Sequence, residues 1–135
     1  MEKSILLELP EPPSYLDKNA KEEYKRAGNL LIENGTLTLM DITPLITYAK
    51  MTSEIVDLEK FVKKSGNTYA YKSKTGYENI IIRPEVNQLQ KLRTLQLAYV
   101  KELGLTPASR KRIARNAEKA LKLTGEDDAL LKLIE

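Results

Sequence analysis

Residues 83–122 contain the clearest structural signals of the chain and read RPEVNQLQKLRTLQLAYVKELGLTPASRKRIARNAEKALK. Apolar residues recur through the first half of this stretch at the three- to four-residue spacing of one helix face. Pro84 suits the opening turn of a helix, and Gly104 suits the position just past a helix end, where a positive φ is needed. Thr106-Pro107 is typical of a cap followed by a first helical residue. The stretch therefore predicts a long helix, a two-residue break and a second helix.

The apolar stripe on the long helix is wide. At about 100° per residue it covers about half of the circumference. A helix covered by its own domain on one side and by a neighbouring subunit on the other would carry such a stripe. A helix fully buried within one domain would carry it too, and both interpretations stay open. The candidate oligomer interface consists of residues toward the edges of the stripe: Val86, Leu95, Leu97 and Tyr99.

The second helix holds most of the excess positive charge. Six Lys or Arg residues and one Glu lie between residues 104 and 122, a net charge of +5, whereas the whole chain carries +3. Cations at helical spacing can match the phosphates of nucleic acid and release counterions. Basic residues on a helix surface also simply aid solubility. The density of charge favours DNA binding, and the candidate residues are Arg110, Lys111, Arg112, Arg115 and Lys119.

Upstream, the pattern predicts two antiparallel helices. Asp17 can cap a helix that runs to about Glu33 and ends at Gly35. Its basic residues are secondary DNA-binding candidates, although the interleaved acids also fit a solvated face; they are Lys18, Lys21, Lys25 and Arg26.

The start of the next helix is ambiguous in the sequence. Thr38 with Asp41 resembles a capping box, and Thr43-Pro44 would serve equally well as cap and first residue. An apolar stripe then continues to Gly66. Joined at residues 35–37, the two helices predict an αα-hairpin.

Residues 67–83 change character. Tyr69-Ala70-Tyr71 and Ile80-Ile81-Ile82 flank a turn region with Gly76, which predicts a short β-hairpin. Isolated hairpins are marginal in water, so this one must pack against helices or a neighbour. Its tyrosines can stack on bases or cover a sheet face, and both roles stay open.

The two ends of the chain are predicted to differ from the domain at residues 16–122. Residues 1–15 hold three prolines and predict an extended arm, whose Ile5-Leu6-Leu7 run docks on another subunit or, more simply, on its own domain. Residues 123–135 predict an acidic and amphipathic tail after a break at Thr124-Gly125. This tail either folds back or docks in a partner's groove through Leu130, Leu131, Leu133 and Ile134.

The composition excludes several classes of function. The 135 residues include neither cysteine nor histidine, which removes disulfides, thiolate metal sites and the commonest general base. Because there is also no glycine-rich phosphate loop and no acidic set spaced for metal-assisted hydrolysis, we expect a protein that is not an enzyme and needs no cofactor or metal. Met1 to Pro10 does not resemble a signal peptide, and no apolar run approaches about 18 residues, so we expect a cytoplasmic protein without membrane contact.

Several motifs together resemble a known family. Leu103-Gly104-Leu105-Thr106-Pro107-Ala108-Ser109-Arg110, after a helix opened by Arg83-Pro84, is similar to the small terminase subunit of tailed double-stranded DNA phages. The likeness extends to Pro13-Ser14-Tyr15-Leu16-Asp17 and to the turns at residues 35–38 and 66–69, so it covers about residues 12–112. Tyr24 stands where the family often has Trp, which keeps an aromatic side chain.

This resemblance implies a function. It implies a ring of identical subunits that marks double-stranded viral DNA for packaging in the cytoplasm of an infected bacterial host. The ring would recruit and modulate a separate large subunit with ATPase and nuclease activities. Two alternatives are a dimeric helix-turn-helix regulator and a phage structural protein that contacts only protein. The expected fold is mainly α: an N-terminal αα-hairpin, a short β-hairpin, a long central helix and a basic helix, assembled as an oligomeric ring.

Overall fold

Helices dominate the computed structural model, which describes the backbone of residues 5–134 and the side chains of residues 5–123. The elements in chain order are α1 (Lys18–Glu33), a short 3-10 helix (Leu39–Asp41), α2 (Ile42–Ser65), β1 (Thr68–Lys72), β2 (Glu78–Ile82), α3 (Pro84–Leu103) and α4 (Pro107–Ile134). The predicted mainly α fold class is confirmed, including the αα-hairpin, the β-hairpin and the long helix followed by a basic one. None of the described helices is long and apolar enough to cross a membrane.

The first two helices start and end where local chemistry directs them. The Asp17 carboxylate accepts the Ala20 N–H at 2.8 Å, which caps α1, and Gly35 takes a φ of 68° just beyond its end. The ambiguous start of the second helix is resolved in favour of Thr38 and Asp41. Their 2.9 Å bond from the Thr38 N–H to the Asp41 carboxylate holds the 3-10 turn that leads into α2.

The main core lies between α1, α2 and the end of α3. Its largest fully buried side chains are Tyr24 and three leucines, Leu31, Leu37 and Leu45. Leu103 brings the last turn of α3 into the same cluster. Burial of such side chains stabilises a fold by about 1.5–3 kcal/mol each. The core therefore fixes the end of α3, the point from which α4 departs.

A smaller core joins the second half of α2 to α3. Met51, Ile55 and Leu89 form it, and Tyr99 packs against both this cluster and the main one. Gln96, which interrupts the apolar stripe of α3, donates to the Thr52 hydroxyl at 3.1 Å. The middle of the apolar stripe on α3 is thus covered by α2 of the same chain.

The N-terminal arm lies on its own domain. The Leu6 N–H donates to the Leu37 carbonyl at 2.8 Å, and the Tyr24 hydroxyl donates to the Pro10 carbonyl at 2.9 Å. Leu9 packs against Gly28 of α1, where an added Cβ would lie 2.5 Å from a Leu9 methyl group. This contact explains a glycine inside a helix, where it costs about 1 kcal/mol relative to alanine.

The C-terminal part of the chain departs from one prediction. The sequence predicts a break at Thr124-Gly125, but the backbone of α4 runs unbroken from Pro107 to Ile134. A lone glycine weakens a helix without ending it, because it keeps its backbone N–H and has no ring to clash. The predicted break before the tail at residues 123–135 is therefore wrong. The side chains of that segment from residue 124 onward lie outside the described part.

Candidate nucleic-acid interface

The direction of α4 is set at its junction with α3. Gly104 has a φ of 79°, the left-handed conformation of a helix end. A Cβ at this position would lie 2.9 Å from the Cδ1 atom of Ile113, so the glycine also makes room for the second turn of α4. Thr106 and Ser109 then cap α4 reciprocally, each side-chain oxygen accepting the other's N–H at 3.1 Å. Two turns of α4 are thereby held against α3.

Arg112 adds a link across the same junction. Its Nη2 atom donates to the Lys101 carbonyl at 3.3 Å and lies 3.9 Å from the Glu102 carboxylate. A cation is well placed there, because the last carbonyls of a helix carry the negative end of its dipole. Arg112 therefore has a structural role at the end of α3 in addition to its charge.

Beyond this junction, α4 extends away from the other elements that the structure describes. Every side chain from Ala114 to Leu123 is exposed, and Leu121 keeps 73% of its surface. Only the first two turns of α4 therefore derive stability from the core.

The cations of α4 form a stripe along this free segment. Lys111, Arg115 and Lys119 follow one another at four-residue intervals, which places them on one side of the helix about 6 Å apart along its axis. On a helical wheel of about 100° per residue, Lys122 falls within the stripe and Arg112 lies at its edge. Arg110 points elsewhere, with its Cγ atom 3.9 Å from the place where a Cβ of Gly104 would be. The structure thus separates one of the five candidates from the other four.

The electrostatics of the stripe are favourable for an anionic partner. Lys111, Arg115 and Lys119 are exposed and take part in no ion pair with the side chains of residues 5–123. Glu118 is the one acid among residues 107–123. Neighbouring cations that lack an acidic partner within this part of the chain repel one another, and a phosphate backbone would relieve that repulsion.

The secondary candidates on α1 are in a different environment. Lys18 and Lys25 are exposed, whereas Lys21 is half-buried. Arg26 donates through Nε to the Glu23 carboxylate at 3.0 Å, and this bond raises the pKa of Arg26 above its already high ordinary value. Because Glu23 also accepts the Tyr48 hydroxyl at 2.8 Å, it is fixed beside Arg26. The charge of Arg26 is therefore compensated within the chain, and the α1 surface is less strongly basic than α4.

The predicted oligomer residues lie at different depths. Leu95 and Leu97 are 49% and 51% exposed, on opposite edges of α3. Val86 is half-buried, and Tyr99 packs between the two cores of its own chain. The exposed apolar part of the predicted interface is thus Leu95 and Leu97.

The predicted docking residues of the tail are Leu130, Leu131, Leu133 and Ile134. Their backbone belongs to α4, and their side chains lie outside the described part of the chain. Their docking role stays a prediction.

A small depression lies where α1 begins against α2. It has a volume of about 150 Å³ and is lined by Tyr15, Asp17, Lys50 and Glu54, among others. Ser53 donates to Asp17 at 2.6 Å, and this bond, together with the one from the Ala20 N–H, lowers the pKa of the Asp17 carboxyl. Small-molecule sites usually occupy about 300–1,000 Å³. This depression is smaller, and its carboxylate is already used as a helix cap.

Two features of the structure have no clear counterpart among the site residues predicted from the sequence. The first is Lys122, which extends the α4 stripe and could have been found from its three-residue spacing to Lys119. The second is Arg83 at the base of the β-hairpin. Its guanidinium lies over the rings of Phe61 and Tyr69, 5.8 and 5.5 Å from their centroids. The sequence gives no signal for this arrangement, because Phe61 is 22 residues away.

Comparison with known proteins agrees with the resemblance noted in the sequence. The family model described as phage terminase, small subunit, matches residues 20–120. These residues include most of α1, all of α2, the β-hairpin and α3, and α4 as far as residue 120. Comparisons with curated proteins and with solved structures gave no match.

Proposed function

The chain belongs to the phage terminase small-subunit family, and from this premise we propose that it is the DNA-recognition subunit of a viral genome-packaging terminase. It binds double-stranded phage DNA in the cytoplasm of the infected bacterial host. It recruits and modulates a separate large subunit that has the ATPase and nuclease activities. The proposal assigns no catalytic step and no cofactor to this chain itself.

One observation supports DNA binding above all others. The stripe of Lys111, Arg115 and Lys119 lies on a part of α4 that stands away from the body and has no acidic partner among the described side chains. A straight helix with cations every 6 Å or so can follow a phosphate backbone or lie across a groove. Each phosphate that it neutralises releases counterions, which supplies sequence-independent affinity.

Assembly of several copies would strengthen these contacts. Leu95 and Leu97 are each about half exposed on a helix whose other leucines and Tyr99 and Val100 pack in the two cores. Apolar side chains at both edges of one helix allow a subunit to be contacted on two sides, as a ring requires. In a ring the basic stripe repeats in every subunit, so that individually weak contacts act together through their effective concentration.

We propose residues 126–135 as the segment that recruits the large subunit, the alternative being that they pack on their own chain. Deletion of this segment should abolish association with the large subunit and leave the fold and the oligomer unchanged. A loss of thermal stability comparable to that of a core truncation would assign Leu130, Leu131 and Ile134 to the chain's own packing instead.

The proposed function is tested by measuring mass and DNA binding together. Light scattering with and without duplex DNA gives the number of subunits, and fluorescence anisotropy at several salt concentrations gives the affinity. We expect an oligomer larger than a dimer, and an affinity that falls linearly with salt on logarithmic axes. A dimer would favour a helix-turn-helix regulator, and an oligomer that binds no DNA would favour a structural phage component.

A further inference from the structure

The β-hairpin is exposed on both faces. All ten residues of β1 and β2 are exposed, and Ile80 keeps 78% of its surface. A two-stranded hairpin is marginal in water by itself, and clustered exposed apolar side chains mark interaction surfaces. We propose that the hairpin adds edge to edge to the hairpin of a second copy of this chain. In this arrangement, β1 of one copy pairs antiparallel with β2 of the next.

The backbone of the hairpin presents two matching edges. The Arg83 N–H donates to the Asn67 carbonyl at 2.9 Å, and the Ser73 N–H donates to the Tyr77 carbonyl at 3.0 Å. Hydrogen-bonded and non-hydrogen-bonded residue pairs alternate along an antiparallel ladder. In the register of this hairpin, the non-hydrogen-bonded pairs are therefore Thr68–Ile82, Ala70–Ile80 and Lys72–Glu78. The backbone groups of these residues point outward, three residues on each edge.

The same register can continue from one copy to the next. Pairing of β1 with the β2 of a neighbour would place Ala70 opposite the neighbour's Ile80, as a hydrogen-bonded pair. Each outward N–H and carbonyl would then find a partner, and both exposed edges would be covered. A head-to-tail pairing of this kind leaves the same two edges at the ends of any open row, so the row is completed only when it closes into a ring.

Charge distinguishes this pairing from symmetrical ones. In the head-to-tail register, Lys72 lies opposite the neighbour's Glu78, and an opposite-charge pair across two strands is stabilising. A symmetrical pairing of two β1 strands would place Lys72 opposite Thr68, and one of two β2 strands would place Glu78 opposite Ile82. Both symmetrical arrangements leave a charge facing an uncharged residue. The charges therefore favour the head-to-tail arrangement.

The base of the hairpin gives it a fixed direction. Arg83 contacts the rings of Phe61 and Tyr69 and donates through Nη2 to the Ser65 carbonyl at 3.2 Å. These contacts join β1, the end of α2 and the start of α3. Because the base is held, the strands can meet a neighbour with little loss of freedom, which favours association. The inference rests on the proposed assembly of identical subunits and identifies the element that joins them.

The absence of cysteine from the chain allows a direct test by cross-linking. Ala70→Cys and Ile80→Cys are made in separate chains, the two variants are mixed, unfolded and refolded together, and a mild oxidant is added. A disulfide needs Cα atoms about 4.4–6.8 Å apart, a distance that paired strands meet and that like positions two strands apart, about 10 Å, do not. Because each chain has one cysteine, any cross-linked dimer joins two copies. We expect cross-linking in the mixture and little in either variant alone. Cross-linking within Ile80→Cys alone or within Ala70→Cys alone would overturn the inference in favour of a symmetrical pairing.

The control variant is Glu22→Cys, on the exposed surface of α1. If it cross-links to Ile80→Cys as rapidly as Ala70→Cys does, the contacts are random collisions and the inference is wrong. DNA binding is measured on the same samples. DNA binding without specific cross-linking would overturn this inference and leave the proposed function intact. Specific cross-linking without DNA binding would support the hairpin pairing and contradict the proposed function.

A charge exchange gives a second, independent test. Lys72→Glu should lower the oligomer mass, because the new carboxylate faces Glu78 both within the chain and between copies and is repelled by it. Glu78→Lys should lower the mass in the same way, because the new cation faces Lys72. The double variant restores both pairs and should restore the mass. Circular dichroism checks that the helices persist in each variant. A Lys72→Glu protein with the wild-type mass would contradict the pairing.

Discussion

Arg112 in α4 and Lys101 in the last turn of α3 are joined by a 3.3 Å hydrogen bond from the guanidinium to the carbonyl oxygen. The bond runs between the helix that ends in the core and the helix that carries the basic stripe. Arg112 therefore contributes to two properties, the anchoring of α4 and its positive charge. A substitution of Arg112 alone changes both the anchoring and the charge. It therefore needs a control substitution that removes charge without affecting the anchoring.

Arg115 is the control position, because it is exposed and has no described hydrogen bond or ion pair to α3. We expect Arg112→Ala to lower the free energy of unfolding by up to about 1 kcal/mol, through loss of an exposed charge-assisted bond. It should also speed hydrogen exchange in the first turns of α4. Arg115→Ala should leave both unchanged. Equal stability and equal exchange for the two variants would show that the bond to Lys101 does not anchor α4.

Gly104 should be more sensitive to substitution than its conformation alone requires. Gly104→Ala places a side chain in the left-handed region, which costs roughly 1–2 kcal/mol, and brings a Cβ to 2.9 Å from Ile113. Gly35→Ala is the matched control, because its φ of 68° is similar and no atom lies within 4 Å of the added Cβ. Thermal unfolding of both variants should show a larger decrease in stability for Gly104→Ala. Equal decreases would mean that the Ile113 contact is unimportant.

The role of the exposed edge of α3 in oligomer assembly can be tested by introducing a charge there. Leu95→Glu should lower the oligomer mass in light scattering and leave helicity largely intact, because Leu95 is already half exposed within one chain. Thr94→Glu introduces the same charge on the neighbouring solvent-facing side of α3 and should leave the mass unchanged. A wild-type protein that is monomeric at high micromolar concentration would remove the basis for this prediction.

Much of this architecture could be predicted because local chemistry specifies it. Asp17, Gly35, Pro84, Gly104 and Thr106 mark helix ends through capping bonds or backbone conformations that depend on near neighbours only. A stripe of apolar residues likewise identifies the face of a helix that is buried.

Other contacts could not be predicted, because they join residues that are far apart in sequence. The contacts of Arg83 with Phe61 and Tyr69 and the bond from Arg112 to Lys101 all arise from tertiary packing.

Two further positions show where a local pattern is ambiguous. Tyr99 lies in the apolar stripe like Leu95, and periodicity alone could not show which of the two α2 would cover. Gly125 is typical of a helix end, but α4 continues through it. A glycine without a capping partner is a weak signal, since its effect depends on the strength of the helix around it.

The cap of α1 gives a prediction about pH. Bonds from Ser53 and the Ala20 N–H hold the pKa of the Asp17 carboxyl below its ordinary value of 3.8. A lowered pKa in the folded state stabilises the fold at pH above 3.8, and this stabilisation is lost as the pH falls through the lower, folded value. Asp17→Asn should therefore lower the melting temperature at pH 7 and reduce its decline in acid. An acid decline as steep as that of the wild type would assign the effect to other carboxylates.

DNA binding through the α4 stripe is tested by the salt dependence of binding by a triple variant. Lys111→Ala, Arg115→Ala and Lys119→Ala remove the stripe and keep good helix formers, and Lys18→Ala, Lys21→Ala and Lys25→Ala on α1 remove the same charge elsewhere. We expect the α4 variant to bind all duplex sequences more weakly, with a logarithmic salt slope shallower by about 0.9 for each phosphate that is no longer neutralised. The α1 variant should bind much like the wild type. An α4 variant that binds as tightly as the wild type at every salt concentration would show that this stripe does not bind DNA.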